Sequence, residues 1–345
     1  MPGALGPLAV TMGDPAGVGL ELVGQAWLRR SAEALPAFIM LGSVAALRER
    51  FTTLGLEIPI AVVADPGEAT GIFASSLPVI DIPLSIPARP GVADPANGAA
   101  VIAAIERAVC AVVSGEAAAV VTNPIAKSVL YRAGFRHPGH TEFLADLARR
   151  HYPDAPCEPV MMIASDSLNV VPLTIHIPLK AVPGAISTTG IIATVRIIAA
   201  ALRRDFAIAH PRIAVTGLNP HAGEDGAIGS EDRDTIAPAI AELRAEGLDV
   251  TGPHPADTLF HAARRPSYDC VLGMYHDQVL IPVKTLAFDT GVNVTLGLPF
   301  VRTSPAHGTA FDIAGKGIAS PASLIAAMKL AARMSARRTA HDAHA

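Results

Sequence analysis

Three histidine signatures stand out by residue type and setting: Thr174-Ile175-His176, Asn219-Pro220-His221-Ala222-Gly223-Glu224 and Met274-Tyr275-His276-Asp277-Gln278. Each sits where a run of β-forming residues, at 170–175, 213–218 and 270–275, gives way to polar ones. In an open parallel α/β sheet, ligands gather outside the carboxyl ends of the strands. Three such ends can bring together histidines that are far apart in sequence. Three neutral imidazoles suit a borderline divalent metal and leave positions open for substrate. Taken singly, each histidine reads as a hydrogen-bonded loop residue; the repeated context favours a metal site.

Other residue groups suit anions. Gly139-His140-Thr141-Glu142 opens a predicted helix at 142–150. There His140, Thr141 and backbone N–H groups can donate to phosphate or carboxylate oxygens. The plainer alternative makes Thr141 the helix cap. Lys284, Asn293 and Arg302 follow the third histidine motif in apolar surroundings. Lysine binds an anion as a point charge and arginine as a planar fork, so something anionic should neutralise them. The turn Gly13-Asp14-Pro15-Ala16-Gly17-Val18-Gly19 has neither G-x-G-x-x-G spacing nor the Lys-Ser/Thr of a P-loop. It reads equally as a tight structural turn, and Asp14 would repel a phosphate beside it. Gly315-Lys316-Gly317 reads as a turn.

These residues need a scaffold. Strand-like runs at 8–11, 38–41, 60–63, 79–82 and 118–122 alternate with helical patterns at 20–29, 44–53, 96–113 and 125–133. Further helical patterns lie at 189–204, 235–246 and 321–334. Such alternation predicts βαβ units and a mostly parallel sheet. At 345 residues the chain exceeds the roughly 250–300 at which one core divides, so two lobes are expected. The Pro-rich segment 82–95 reads as a surface loop, and 335–345 as a fraying tail.

Composition excludes some partners. No apolar run reaches the roughly 18 uninterrupted residues of a membrane span, and the first residues lack a basic signal region. A cytoplasmic protein is expected. Net charge is −4 without a block of like charges, which argues against a nucleic-acid surface. Cys110, Cys157 and Cys270 form no CxxC pair and read as buried, reduced thiols.

With these motifs in place, the chain resembles the 4-hydroxythreonine-4-phosphate dehydrogenase family of pyridoxal phosphate biosynthesis. The resemblance runs from about residue 8 to 320. It is carried by the 13–19 turn, Gly139-His140-Thr141-Glu142-Phe143, the 219–224 motif and Tyr275-His276-Asp277-Gln278. Gly291-Val292-Asn293 and the run from Leu296-Gly297-Leu298-Pro299-Phe300 to Arg302-Thr303-Ser304 complete it.

The resemblance implies a two-lobed isocitrate/isopropylmalate dehydrogenase-like α/β fold with mostly parallel sheets and an interlobe cleft. It places residues 1–125 and 300–336 in a first lobe, 126–299 in a second, metal-binding lobe, and 337–345 in a frayed tail. It implies a divalent metal (Zn, Mg or Co) on His176, His221 and His276, and substrate contacts from His140, Thr141, Lys284, Asn293 and Arg302. It also implies a homodimer with the active site at the subunit interface, one histidine coming from the partner, and NAD or NADP bound without the usual fingerprint. Cofactor contacts are not assigned to residues.

The implied activity is oxidation of 4-phosphohydroxy-L-threonine to a β-keto acid that decarboxylates to 3-amino-1-hydroxyacetone phosphate. Lys284 is one candidate base and Asp277 the second. Three positions depart from the biosynthetic pattern: Ala306 where Asp is common, Asn169 where Arg is frequent, and Leu20 where Pro is frequent. They leave open a paralogue oxidising 4-phospho-D-threonate or D-erythronate 4-phosphate. More remote rivals are a metal-dependent phosphohydrolase and a non-catalytic phosphometabolite-binding protein.

Overall fold

The computed structural model describes residues 6–137 and 139–344. Among them the strands are β1 Leu8–Thr11, β2 Phe38–Gly42, β3 Ile60–Val62, β4 Leu77–Asp81, β5 Ala119–Thr122 and β6 Val160–Ala164. They continue as β7 Val170–Thr174, β8 Arg212–Thr216, β9 Asp249–His254, β10 Cys270–Tyr275, β11 Val292–Leu296 and β12 Arg302–Pro305. The chain is α/β, with two compact units: Met1–Pro159 with Leu298–Ala336, and Val160–Gly297 with Arg337–Ala345.

In the first unit the strand order is β3-β4-β2-β1-β5-β12, and every neighbouring pair is parallel. β1, β2 and β5 are buried along their whole length, as expected of parallel strands covered on both faces. Helix Gly98–Val113 buries Val101, Ala104, Ile105 and Ala108, one apolar stripe at helical spacing. By length and composition its Pro95–Val113 window could cross a membrane; 44% of that window is buried inside the fold, which makes it a core helix.

The expected lobe boundary near 125 gives way to a change of unit at Pro159/Val160. Helix His140–His151 buries Phe143, Leu144, Leu147 and Ala148 and packs against Gly98–Val113. Its sequence shows an apolar face but cannot show which sheet that face will cover.

In the second unit the order is β11-β6-β7-β10-β8-β9. β6 runs antiparallel to β11 and β7, and the other pairs are parallel. Val170, Ala214, Val271, Val279 and Val283 form its core between these strands and helix His276–Ala287. The expected fray from 337 is also corrected. Helix Ala322–Asp342 continues, and Arg338 donates from Nε and Nη2 to the two oxygens of buried Asp205, each at 2.8 Å. Cys157 and Cys270 are buried free thiols, whereas Cys110 is only half-buried, with Sγ 3.9 Å from His151 Nε2.

Candidate active site

The second unit explains why the three histidine motifs are related. β7, β10 and β8 are consecutive and parallel, so their carboxyl ends lie on one edge of the sheet. His176 follows β7, His276 follows β10 directly, and His221 follows β8. Thr174 pairs in register with Tyr275, and its Oγ1 donates to the Met274 carbonyl at 2.7 Å. The imidazoles of His176 and His276 are thereby brought to a ring-centroid separation of 5.9 Å.

His276 Nδ1 is 2.6 Å from Asp277 Oδ1. A carboxylate on one ring nitrogen fixes the tautomer and leaves Nε2 for a metal. The donor chemistry therefore fits a divalent cation. His221 does not form a three-ligand metal group with this pair among the described residues. It is exposed on the segment Pro220–Gly226, where His221, Ala222, Glu224 and Asp225 all have positive φ, between 43° and 55°. A left-handed stretch costs about 1–2 kcal/mol per non-glycine residue, so tertiary contacts must hold it. Among the described residues no three His, Cys, Asp or Glu side chains form a group able to hold a metal.

Two residues that sequence reasoning did not single out for this role anchor the strand ends leading into that left-handed segment. Buried Asp232 accepts from the backbone N–H of Leu218 at 2.8 Å and Asn219 at 3.2 Å, and from Asn219 Nδ2 at 2.9 Å. Gln278 Oε1 accepts from Met274 N–H at 2.7 Å and Thr216 Oγ1 at 2.8 Å, while Nε2 donates to the Gly217 carbonyl at 2.8 Å. It thus ties the end of β10 to the end of β8. The only hint in the sequence is position: Gln278 lies two residues after His276.

Lys284 lies two helical turns beyond His276 on the same helix, on the same face. His276, Asp277, Leu280, Ile281, Lys284, Thr285 and Phe288 line a hollow of about 420 Å³. Asn293 lies on β11, opposite Ile163 of β6.

The first unit holds a second set of candidates. Arg302 on β12 is buried, and its Nη2 donates to Thr122 Oγ1 at the end of β5 at 2.6 Å. Burial pushes its guanidinium down to about 10. His140 begins helix His140–His151, and Nε2 is buried without a hydrogen-bond partner among the described residues. Burial first, then the charges of Arg302 and Lys127, hold its imidazole well below the usual value, so it is neutral at pH 7. Thr141 is not the cap: the helix starts two residues earlier than expected, at His140, with Gly139 at the N-cap and no side-chain capping bond. This set offers buried polar hydrogen-bonding groups and one buried cation, a chemistry suited to an anion.

The 13–19 turn is braced from within the fold. Arg50, buried, donates to the Gly17 carbonyl at 2.8 Å, the Pro15 carbonyl at 3.2 Å and Glu21 Oε2 at 3.1 Å. Burial raises Asp14 above the usual carboxylate range, although Oδ1 accepts from Ala16 N–H. Of the departures from the family pattern, Leu20 is core. Asn169 sits at the amino end of β7, opposite the end that carries His176, and donates to the Asp269 carbonyl at 3.0 Å. Ala306 directly follows β12, with its N–H donating to Ser323 Oγ at 3.2 Å, and is the departure nearest a candidate residue in sequence.

The sequence profile of the pyridoxal phosphate biosynthetic protein PdxA matches residues 34–331. The 4-hydroxythreonine-4-phosphate dehydrogenase of Bradyrhizobium diazoefficiens is 55% identical over 96% of this chain and 98% of its own length. That of Methylorubrum extorquens is 56% identical over 96% of this chain and 95% of its own. A crystal structure of the Klebsiella pneumoniae 4-hydroxythreonine-4-phosphate dehydrogenase superposes with a TM-score of 0.85, at 37% identity, over 97% of this chain and 99% of that one. A terephthalate 1,2-cis-dihydrodiol dehydrogenase from Burkholderia xenovorans is more distant, with a TM-score of 0.62 at 26% identity over 95% of this chain and 98% of that one.

Proposed function

The chain belongs to the family of the pyridoxal phosphate biosynthetic protein PdxA, and on that premise we propose that it oxidises 4-phosphohydroxy-L-threonine. The product, 2-amino-3-oxo-4-phosphooxybutanoate, loses CO₂ to give 3-amino-1-hydroxyacetone phosphate. The observation that carries this reading is the His176–His276 pair beside Lys284, in a chain with full-length dehydrogenase relatives.

NAD or NADP, when bound, would supply the hydride acceptor. His176, His221 and His276 would hold a divalent cation, which acidifies an alcohol and polarises a carbonyl when bound. Imidazole donors favour Zn²⁺ or Co²⁺ over Mg²⁺, which prefers oxygen ligands. Asp277 orients His276 through Nδ1, which leaves Lys284 as the preferred acceptor of the hydroxyl proton. His140, Thr141, Asn293 and Arg302 bind the phosphorylated substrate, and binding energy remote from the reacting carbon orients it. Because the three histidines form no three-ligand group within one chain among the described residues, the triad would be completed in a homodimer, where a second copy supplies an imidazole. Compartment follows function, and the reaction belongs in the cytoplasm.

The deciding experiment follows nicotinamide absorbance with 4-phosphohydroxy-L-threonine, 4-phospho-D-threonate and D-erythronate 4-phosphate in parallel, while assaying free phosphate. Preferred turnover of the first supports the proposal. Preference for either sugar-acid phosphate would reassign the substrate, and phosphate release without nicotinamide reduction would overturn the dehydrogenase reading.

A further inference from the structure

We propose that Lys127 is a further substrate-binding residue, supplying a second positive charge to the phosphate group held by His140 and Arg302. The inference rests on the reading above, in which these residues hold a phosphate ester.

The argument begins with charge. A phosphate monoester carries about −1.5 to −2 at neutral pH. Of these two groups, buried Arg302 brings one positive charge, whereas His140, half-buried with its Nε2 shielded from solvent, is neutral and can contribute only a hydrogen bond. A dianion is therefore about half compensated by these two, and an undercompensated ion in a partly dry site is costly.

Lys127 is placed to make up the difference. Buried Asn123 anchors the turn after β5, donating from Nδ2 to the Thr11 carbonyl at 2.9 Å, and Lys127 opens helix Lys127–Arg132 just beyond it. Arg302 is held by Thr122 at the end of the same strand, so one strand end positions both cations. Lys127 also acts electrostatically on the His140 imidazole.

Gly139 reports the approach directly. A Cβ on that residue would lie 3.0 Å from Lys127 Nζ, 3.1 Å from Lys127 Cε and 3.1 Å from Glu142 Oε2. Gly139 has an extended backbone, φ −174°, which any residue adopts, so conformation does not demand glycine there. A Cβ would instead ask the Lys127 ammonium and the Glu142 carboxylate to give by a few tenths of an ångström, which marks how closely both approach. Glu142 is the facing carboxylate, yet no Lys127–Glu142 ion pair within 4.0 Å occurs among the described salt bridges. Lys127 is solvent-exposed, so its ammonium is free to turn toward an anion at the helix start.

The test compares Lys127→Gln, Lys127→Arg, Gly139→Ala and Glu142→Gln in the intact enzyme, with 4-phosphohydroxy-L-threonine and unphosphorylated 4-hydroxy-L-threonine as substrates. Lys127→Gln should raise KM for the phosphate ester about ten- to a hundredfold, the range of a lost charge-assisted contact. Its kcat should change little, KM for the unphosphorylated compound should not move, and the defect should shrink at high salt. Lys127→Arg should recover most of the loss, and Gly139→Ala, which asks the ammonium to give by only a few tenths of an ångström, should show a smaller loss. Equal losses on both substrates, or Glu142→Gln reproducing the defect with no further loss in the double variant, would assign Lys127 to the turn and overturn the proposal. So would unchanged KM in Lys127→Gln while Arg302→Ala weakens binding of the ester. Indifference of the unmodified enzyme to the phosphate would instead remove the functional reading itself.

Discussion

Gln278 donates from Nε2 to the carbonyl of Gly217 at 2.8 Å, so a side chain from the His276 helix grips the strand end that leads to His221. The same amide accepts from Met274 N–H and Thr216 Oγ1. Gln278→Ala would leave several partly buried polar groups unpaired. We expect a loss of about 1–3 kcal/mol in urea unfolding. Co²⁺ affinity, measured by equilibrium dialysis, should also weaken. Gln278→Glu retains the two acceptor roles but not the donor, and should lie between the two. Unchanged Co²⁺ affinity in a folded Gln278→Ala protein would confine the residue to stability.

That His176, His221 and His276 form no three-ligand group among the described residues predicts complementation between damaged chains. Neither His221→Ala nor His276→Ala alone should turn over substrate. Co-refolded heterodimers should recover up to about half the site activity, because in one of the two hybrid sites all three imidazoles survive when either His221 or His276 acts across the interface. Verified heterodimers with no activity would mean that these two histidines serve the same site from one chain.

Lys284 and Arg302 should fail differently. Lys284→Ala should lower kcat by about 10²–10⁴-fold, as for loss of a general base. Arg302→Ala should chiefly raise KM, about tenfold or more. Steady-state kinetics at saturating nicotinamide separate the two; a Lys284→Ala enzyme with normal kcat would move the proton-accepting role to Asp277.

Asp205 links Arg204 and Arg338. Burial alone would raise its carboxyl, but the two guanidinium groups outweigh this and hold it below the usual range. Its ionised form therefore contributes stability that is present above the unfolded-state value near 3.8 and lost as pH falls through the lower folded value. Arg338→Ala should destabilise at neutral pH by the lower end of roughly 3–5 kcal/mol, since Arg204 remains. The difference from the parent should narrow below pH 3.8 in denaturant titrations. A constant difference across that range would rule out the ion pair as its source.

His140 shifts acid stability at milder pH. Its folded imidazole resists protonation, because burial and then Arg302 and Lys127 disfavour the cation. The unfolded chain takes up the proton first, near 6.5, so stability falls as pH drops below that value until the folded value is reached. His140→Gln should flatten the stability profile between pH 7 and 5. Parallel profiles for the two proteins would mean that His140 titrates alike folded and unfolded.

Much of this molecule is written locally. Alternation of short β-rich runs with amphipathic helices suffices for a mostly parallel α/β chain, because burial on both faces demands apolar strands and a helical stripe. The placing of His176, His221 and His276 just after such runs marks them as loop residues at strand ends. Tertiary structure decided what depends on long-range pairing. The order β7-β10-β8 puts His176 beside His276, and no local pattern encodes which strands become neighbours. Helix His140–His151 joins the first unit because of what its apolar face meets, not because of its period. The helix begins at His140, with Gly139 and not Thr141 at the N-cap, because the local backbone, not the capping preference of Thr141, sets its first turn. Asp232 and Gln278 look like ordinary polar residues in sequence; only hydrogen bonds across tens of residues make them the supports of the histidine loops.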